Sequence, residues 1–230
     1  MKKTLALMTA ILGAALFLGA CGNSSSVSTE KPVQAASSAA LGGQAKVPHG
    51  RVLIAYFTWA DNTHVADPSS VDADASTSAS VLAPGNTALM AGWIQERTGG
   101  DLYSIRVKDP YSSDYDACLG RAAKEKADNA RPALAGSLPD LSSYDVVFLG
   151  FPNWWYTLPM PVMTFLESGD FAGKRIIPFC AHGTGGLAST IEDLRREVPA
   201  SVIETPVGLY RPEVRQGRPK IDAWLTSLGY

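Results

Sequence analysis

Short apolar runs alternate with amphipathic or polar stretches along most of this chain. Val52-Leu53-Ile54-Ala55-Tyr56-Phe57 is continuous enough to predict a first strand buried on both faces. The next periodic segment comes much later. Leu89, Met90, Trp93 and Ile94 recur at helical spacing and predict a helix over 87–98, stopped by Gly99-Gly100. Asp101 to Val107 alternates and predicts an edge strand, and Tyr115 to Ala127 predicts a polar helix. Val146 to Gly150 predicts a third strand and Pro161 to Ser168 a short helix. Lys174 to Cys180 predicts a fourth strand, Leu187 to Val198 an amphipathic helix, and Ser201 to Glu204 a fifth strand. A helix over 212–228 closes the chain. Strands alternating with helices imply a parallel sheet with right-handed crossovers, an α/β three-layer sandwich with five strands.

The first fifty residues follow different rules. Met1-Lys2-Lys3 is basic, Leu5 to Leu18 is apolar, and Leu18-Gly19-Ala20-Cys21 follows. The apolar stretch is short for a membrane span and reads as a signal peptide over 1–20. The small residues before Cys21 resemble a bacterial lipobox. That resemblance implies cleavage before Cys21, lipidation of its thiol and an anchored position in the cell envelope, outside the cytoplasm. Residues 21–48 are rich in Ser, Ala, Gly and Gln and predict a flexible tether. The folded domain is expected over 49–230.

Net charge is −2, and loss of Lys2 and Lys3 with the signal would make the mature chain two charges more acidic. An acidic chain with no basic run argues against nucleic acid as a partner. Membrane contact is then expected through the lipid alone. Cys118 and Cys180 could pair in an oxidising exterior. Cys180 ends an apolar strand and Cys118 lies in a polar helical stretch, so two unpaired thiols are expected. Without a CxxC or Cys/His spacing, no metal site is predicted. No catalytic acid–base pair or nucleophile elbow is evident either.

Three loops at the carboxyl ends of strands carry the candidate chemistry, since ligands bind at that edge of an open α/β sheet. After the first strand come Thr58, Trp59, Ala60, Asp61, Asn62 and Thr63. Hydroxyls and free N–H groups there would cradle an anion if a helix began just behind them. The helix instead begins after Pro84-Gly85-Asn86-Thr87, with Asn86 as the expected N-cap. An insertion over 61–84 therefore splits one phosphate loop, and Asp61 is expected to point away from any phosphate. The second loop is Pro152-Asn153-Trp154-Trp155-Tyr156. Two adjacent indoles cannot both point inward from an extended segment, so one should face a ligand. The third loop is His182-Gly183-Thr184-Gly185-Gly186, whose glycines permit close backbone approach.

Strand, phosphate loop and helix, followed by Gly-Phe-Pro-Asn-Trp-Trp and then Pro-Phe-Cys-x-His-Gly-x-Gly-Gly, resemble the flavodoxin family in its longer bacterial branch. The resemblance runs from Arg51 to about Tyr210 and implies a flavodoxin-like sheet order of 2-1-3-4-5. It implies non-covalent flavin mononucleotide (FMN), with Thr58, Trp59, Ala60, Asn86 and Thr87 at the phosphate. Pro152, Asn153, Trp154, Trp155 and Tyr156 would line one side of the ring. His182, Gly183, Thr184, Gly185 and Gly186 would line the other, with His182 equally readable as a plain loop histidine. The family's compact Thr/Ser-x-Thr-Gly-Asn-Thr loop is interrupted here, with Asp61 where glycine is expected. Tyr115 could cover the flavin or only cap its helix, and the structural reading is preferred. The implied function is electron transfer to redox partner proteins. The alternatives are an FMN-dependent NAD(P)H reductase acting on a small quinone-like or nitro acceptor, and a binding module without cofactor.

Overall fold

The computed structural model describes residues 50–78 and 80–230. The expected signal peptide, Cys21 and the tether lie outside them. Among the described residues no helix is long and apolar enough to cross a membrane.

Strand β1 (Val52–Tyr56) pairs in parallel with β2 (Asp101–Ser104) and with β3 (Val146–Pro152). β3 pairs with β4 (Arg175–His182). The order is β2-β1-β3-β4, and the next position is shared by β5 (Val202–Ile203) and β6 (Val207–Tyr210), both parallel to β4. The predicted order 2-1-3-4-5 is therefore present, with the fifth position filled in two pieces. Pro206 lies in the gap, where a residue lacking an N–H cannot continue the ladder.

Alternation along the central strands divides the core. Leu53 and Ala55 of β1, Val147, Leu149 and Phe151 of β3, and Ile176 and Cys180 of β4 face one layer. That layer holds α2 (Tyr115–Ala127), α3 (Met160–Glu167) and α4 (Thr190–Glu197). Ile54, Phe148, Ile177 and Phe179 face the other, against α1 (Asn86–Thr98) and α5 (Arg218–Ser227). β3 and β4 are buried almost throughout, as expected of strands covered on both faces. Full burial of side chains such as Phe148 and Leu149 contributes about 1.5–3 kcal/mol each.

Three boundaries differ from the sequence expectation. β2 stops at Ser104 because Arg106 and Lys108 turn to exchange backbone hydrogen bonds with Ala133 and Ala135. The closing helix over 212–228 is two elements, a tight turn at Arg211–Gln216 and then α5, broken at Gly217. Asn86 is the first residue of α1 rather than its cap, and Gly85 occupies the cap position without a side-chain bond.

The segment 61–84 is ordered where described. Asp67 accepts from Ser69 N to start a short turn, and Ala75 and Val81 insert into the α2–α3–α4 side of the core. Asn62 locks its entry. Its Nδ2 donates to the carbonyls of Thr58 (2.8 Å) and Ile105 (3.0 Å), and its Oδ1 accepts from Val107 N (2.8 Å). Both thiols are free and buried, Cys118 on α2 and Cys180 on β4.

Candidate functional site

A helix start, a glycine and a threonine create the narrow end of the site. β1 delivers Thr58 to the sheet edge, and Gly85 returns the chain to the same place after the insertion. The two segments touch so closely that a Cβ on Gly85 would lie 2.2 Å from Thr58 Oγ1 and 3.0 Å from Ala60 Cβ. Gly85 also has φ +79°, where side chains are strained. Only glycine meets both demands. Gly85-Asn86-Thr87 thus completes in space the loop that Thr58-Trp59-Ala60 begins, and Asp61 does not take the glycine's place. Asp61 turns toward β2 as expected, accepting from Ser104 Oγ at 2.6 Å.

Among the described residues, the N–H groups of Asn86, Thr87 and Ala88 make no hydrogen bond. They form the positive end of the α1 dipole. Thr58 and Thr87 are each 2 % exposed, and their hydroxyls have no partner among the described residues. A cleft of about 40 Å³ is lined here by Thr58, Asn86, Thr87, Pro152, Asn153 and Arg211, among others.

A wider cleft of about 320 Å³ adjoins it and shares Trp59, Asn153, Trp154, Gly183 and Arg211. That volume lies at the lower end of ligand sites. One wall is the turn Trp154–Thr157, closed by Trp154 N to Thr157 O (3.2 Å) and Thr157 N to Trp154 O (3.1 Å). Its central residues, Trp155 and Tyr156, have φ +51° and +68°. Two adjacent aromatic residues in the left-handed region store strain of order 1–3 kcal/mol each.

The two indoles separate as the sequence argument requires. Trp154 points inward, edge-to-face with Phe57 (5.3 Å) and Tyr111 (5.2 Å). Trp155 is 39 % exposed and donates through Nε1 to Leu119 O at 3.0 Å. Lys126 Nζ holds the Trp155 carbonyl at 2.6 Å. Tyr156 is 62 % exposed, and its ring lies across Gly185, where a Cβ would meet it at 2.9 Å.

The opposite wall is Gly183-Thr184-Gly185. Among the described residues the N–H groups of Thr184 and Gly185 are unbonded. Asn153 ties the two walls together by donating Nδ2 to Gly186 O at 2.6 Å. That bond leaves Oδ1 buried without a partner. An unsatisfied buried acceptor costs about 1–3 kcal/mol unless a ligand supplies a donor.

Three predicted site residues do not line either cleft. His182 turns back toward β6, with Nδ1 2.8 Å from Gly183 O and its ring packed over Gly208. Ala60 packs against Gly85 and has no hydroxyl to offer. Gly186 acts through its carbonyl, as the acceptor for Asn153. Trp59 lines the cleft, but its Nε1 is committed to Ser112 O at 3.0 Å.

The third wall was not anticipated. Tyr115, Cys118, Leu119 and Ala122 of α2 line the wide cleft. Their i, i+3, i+4, i+7 spacing marks one helical face, and that signal was readable. Asp114 caps α2 by accepting from Ala117 N, and Tyr115, the first residue of the helix, turns its side to the cleft. Burial raises the Cys118 thiol to about 12. Behind Trp154, Tyr111 donates its hydroxyl to Glu125 (2.5 Å) while Arg121 stacks on the Tyr111 ring at 4.1 Å. Burial first, then the bond to Glu125, raises the Tyr111 phenol. Arg211 was also missed. It leaves β6 beside Gly183, and its carbonyl accepts from Asn86 Nδ2 at 3.3 Å.

Comparison with solved structures finds a provisionally assigned flavoprotein from Bacteroides eggerthii at 28 % identity and TM-score 0.59. The match covers 78 % of this chain and 98 % of that one. A second, from Bacteroides uniformis, is 29 % identical with TM-score 0.60, covering 77 % and 98 %. A flavoprotein from Lactobacillus acidophilus in complex with FMN is 17 % identical, covers 73 % and 97 %, and shares the fold at TM-score 0.52. Among curated proteins no match is found. A family profile described as flavodoxin matches residues 75–226, well over half of the chain. With the sheet order, the rejoined loop at Thr58 and Gly85 and the aromatic cleft beside it, that match places the chain in the flavodoxin family.

Proposed function

We propose that this chain is an FMN-binding electron carrier held at the outer side of the cytoplasmic membrane by lipid on Cys21. The observation that carries the reading is the continuity of two clefts at one sheet edge. The narrow one offers free N–H groups and hydroxyls to a phosphate, and the wide one offers aromatic walls to a flat ring. FMN is the cofactor the family implies, and the residues fit it. Thr58, Asn86 and Thr87 line a cleft that would take the phosphate, and a bound flavin would bring an N–H donor of the kind that the buried Asn153 Oδ1 lacks.

When bound, FMN supplies the one- and two-electron chemistry. The chain's residues do the rest. Trp155, Tyr156 and α2 exclude water from the faces of the cleft. The N–H groups of Thr184 and Gly185 can receive negative charge that develops on a bound ring. Trp154 is fixed from behind by Phe57 and Tyr111, so its edge of the cleft is rigid.

Transfer to a protein partner is favoured over turnover of a small acceptor by the open mouth of the cleft. None of the described residues of 61–84 lines either cleft, so the described part of the insertion does not roof them. Tyr156 and Trp155 stand exposed at the rim. The lipobox around Cys21 supports the anchored location.

The test is the visible spectrum of the purified protein with FMN added and then washed out, followed by stopped-flow reduction. Retained yellow colour with slow oxidation of NADH and NADPH is expected. Rapid NAD(P)H turnover with a quinone or nitro acceptor would replace the carrier by a reductase. Absence of retained flavin would leave a binding module. For the anchor, fatty-acid labelling of the chain in cells should vanish in Cys21→Ser.

A further inference from the structure

Among the described residues Arg211 is the one cation that lines both clefts. No carboxylate among the described residues lies within ion-pair distance of it, a lack it shares with Arg51, Arg97, Arg106, Arg195 and Arg215, none of which lines either cleft. Its guanidinium packs about 3.7 Å from where a Cβ of Gly183 would stand. Its main chain is fixed separately, the carbonyl accepting from Asn86 Nδ2, and Arg211 lines the narrow cleft together with Asn86 and Thr87 of the first turn of α1. Around the same narrow cleft stand the unpartnered hydroxyls of the buried residues Thr58 and Thr87 and the free N–H groups of residues 86–88. Every one of these groups can donate, and Asp61, the nearest acid of the loop, is tied to Ser104. A half-buried, uncompensated cation among donors is a costly arrangement unless an anion completes it.

We propose that Arg211 is the counter-charge for the phosphate of the flavin and makes this site selective for a phosphomonoester over the unphosphorylated ring. The inference rests on the FMN reading and goes beyond it by naming the residue and the discrimination. A phosphomonoester carries between one and two negative charges near neutral pH, and a planar guanidinium donates to two of its oxygens at once. Hydroxyls and helix N–H groups orient the phosphate. The charge of Arg211 offsets what neutral donors cannot. Because Arg211 comes from the end of β6, phosphate binding also fastens the broken fifth position of the sheet to the start of α1.

The experiment uses the purified chain, with dissociation constants for FMN and for riboflavin measured by quenching of flavin fluorescence at low and high salt. Arg211→Gln should weaken FMN by about tenfold to a hundredfold and riboflavin by less than about twofold. It should also flatten the salt dependence of FMN binding, and Arg211→Lys should recover part of the loss. Equal weakening of both flavins would move the guanidinium to the ring and overturn the assignment, as would unchanged FMN affinity. A melt without flavin checks that the Gln variant folds. Should it not, Arg211→Lys decides, with FMN alone weakened several-fold as the expected result and no change in the FMN-to-riboflavin ratio as the contrary one. If the unmodified chain binds neither flavin, the cofactor reading itself fails and the assignment falls with it. If it binds riboflavin as tightly as FMN, only the assignment does.

Discussion

Two turns at the carboxyl edge of the sheet require left-handed backbone, and they solve the requirement in opposite ways. At the end proposed for the phosphate the chain uses Gly85, with φ +79° and no room for a side chain. At the ring end it uses Trp155 and Tyr156, with φ +51° and +68°, where asparagine and glycine would be comfortable. Under the proposed FMN reading, the difference reflects what each end must offer. A phosphate is held by backbone N–H groups, so the loop gives up side-chain bulk. A flat ring is held by apolar area, so the turn keeps its aromatic groups and accepts strain. Bonds from the surroundings hold that strain in place: Lys126 to the Trp155 carbonyl, Trp155 to the Leu119 carbonyl, and Ser189 N and Oγ to the Tyr156 carbonyl.

The sharpest way to break the comparison is Gly85→Ala. It should lower FMN affinity by at least about a hundredfold and stability by about 2 kcal/mol, read by fluorescence titration and urea unfolding. Wild-type affinity in this variant would mean that the rejoined loop is not the phosphate site. The converse variant, Trp155→Asn with Tyr156→Gly, should raise unfolding free energy by about 1 kcal/mol while FMN affinity falls about tenfold. Stability and binding moving in the same direction would show that the turn is not strained for the ligand's sake.

Those two turns were unequally legible. The glycine end could be read in sequence, because Gly85-Asn86-Thr87 before an amphipathic helix carries its own turn chemistry. The aromatic end named its residues but hid its geometry, since tryptophan and tyrosine argue against the turn they occupy. β1, β3 and β4 were readable as uninterrupted apolar runs. The division of the fifth position was not, because β5 and β6 are too short to show a period. Arg211 is 125 residues from Asn86. No local pattern signals such a contact, and in a string of polar residues one arginine looks like solvated surface. The α2 wall escaped for a different reason. Its four cleft-lining residues have helical spacing, but cysteine and alanine among charges read as a weakly amphipathic helix.

Smaller effects sharpen how the ring end is supported. Tyr111→Phe removes the hydroxyl bond to Glu125, which keeps its pair with Arg121. It should cost about 1 kcal/mol of stability and change FMN affinity less than about threefold, because Trp154 still packs against the remaining ring. A larger loss of affinity would make the hydroxyl part of the site. The last effect is confined to alkali and absent near neutral pH. The folded state holds the Cys118 thiol protonated up to about 12, above its value of 9.0 in an exposed thiol. The unfolded chain therefore releases that proton first, so this contribution to stability is intact below about pH 9 and declines toward 12. Urea midpoints across that interval should fall less in Cys118→Ala than in the unmodified chain.

The meeting of Ala60 with Gly85 has an architectural consequence. The excursion between them leaves and re-enters the fold at one point, so its ends need no spacer and its length is entropically cheap to vary. Asn62, which pins Thr58 to the exits from β2, belongs to the departing stem and must stay. Beyond Thr63 the protein has a ready-made port, where foreign peptide could be spliced without disturbing the sheet, provided Ala75 and Val81 are replaced by something equally willing to be buried.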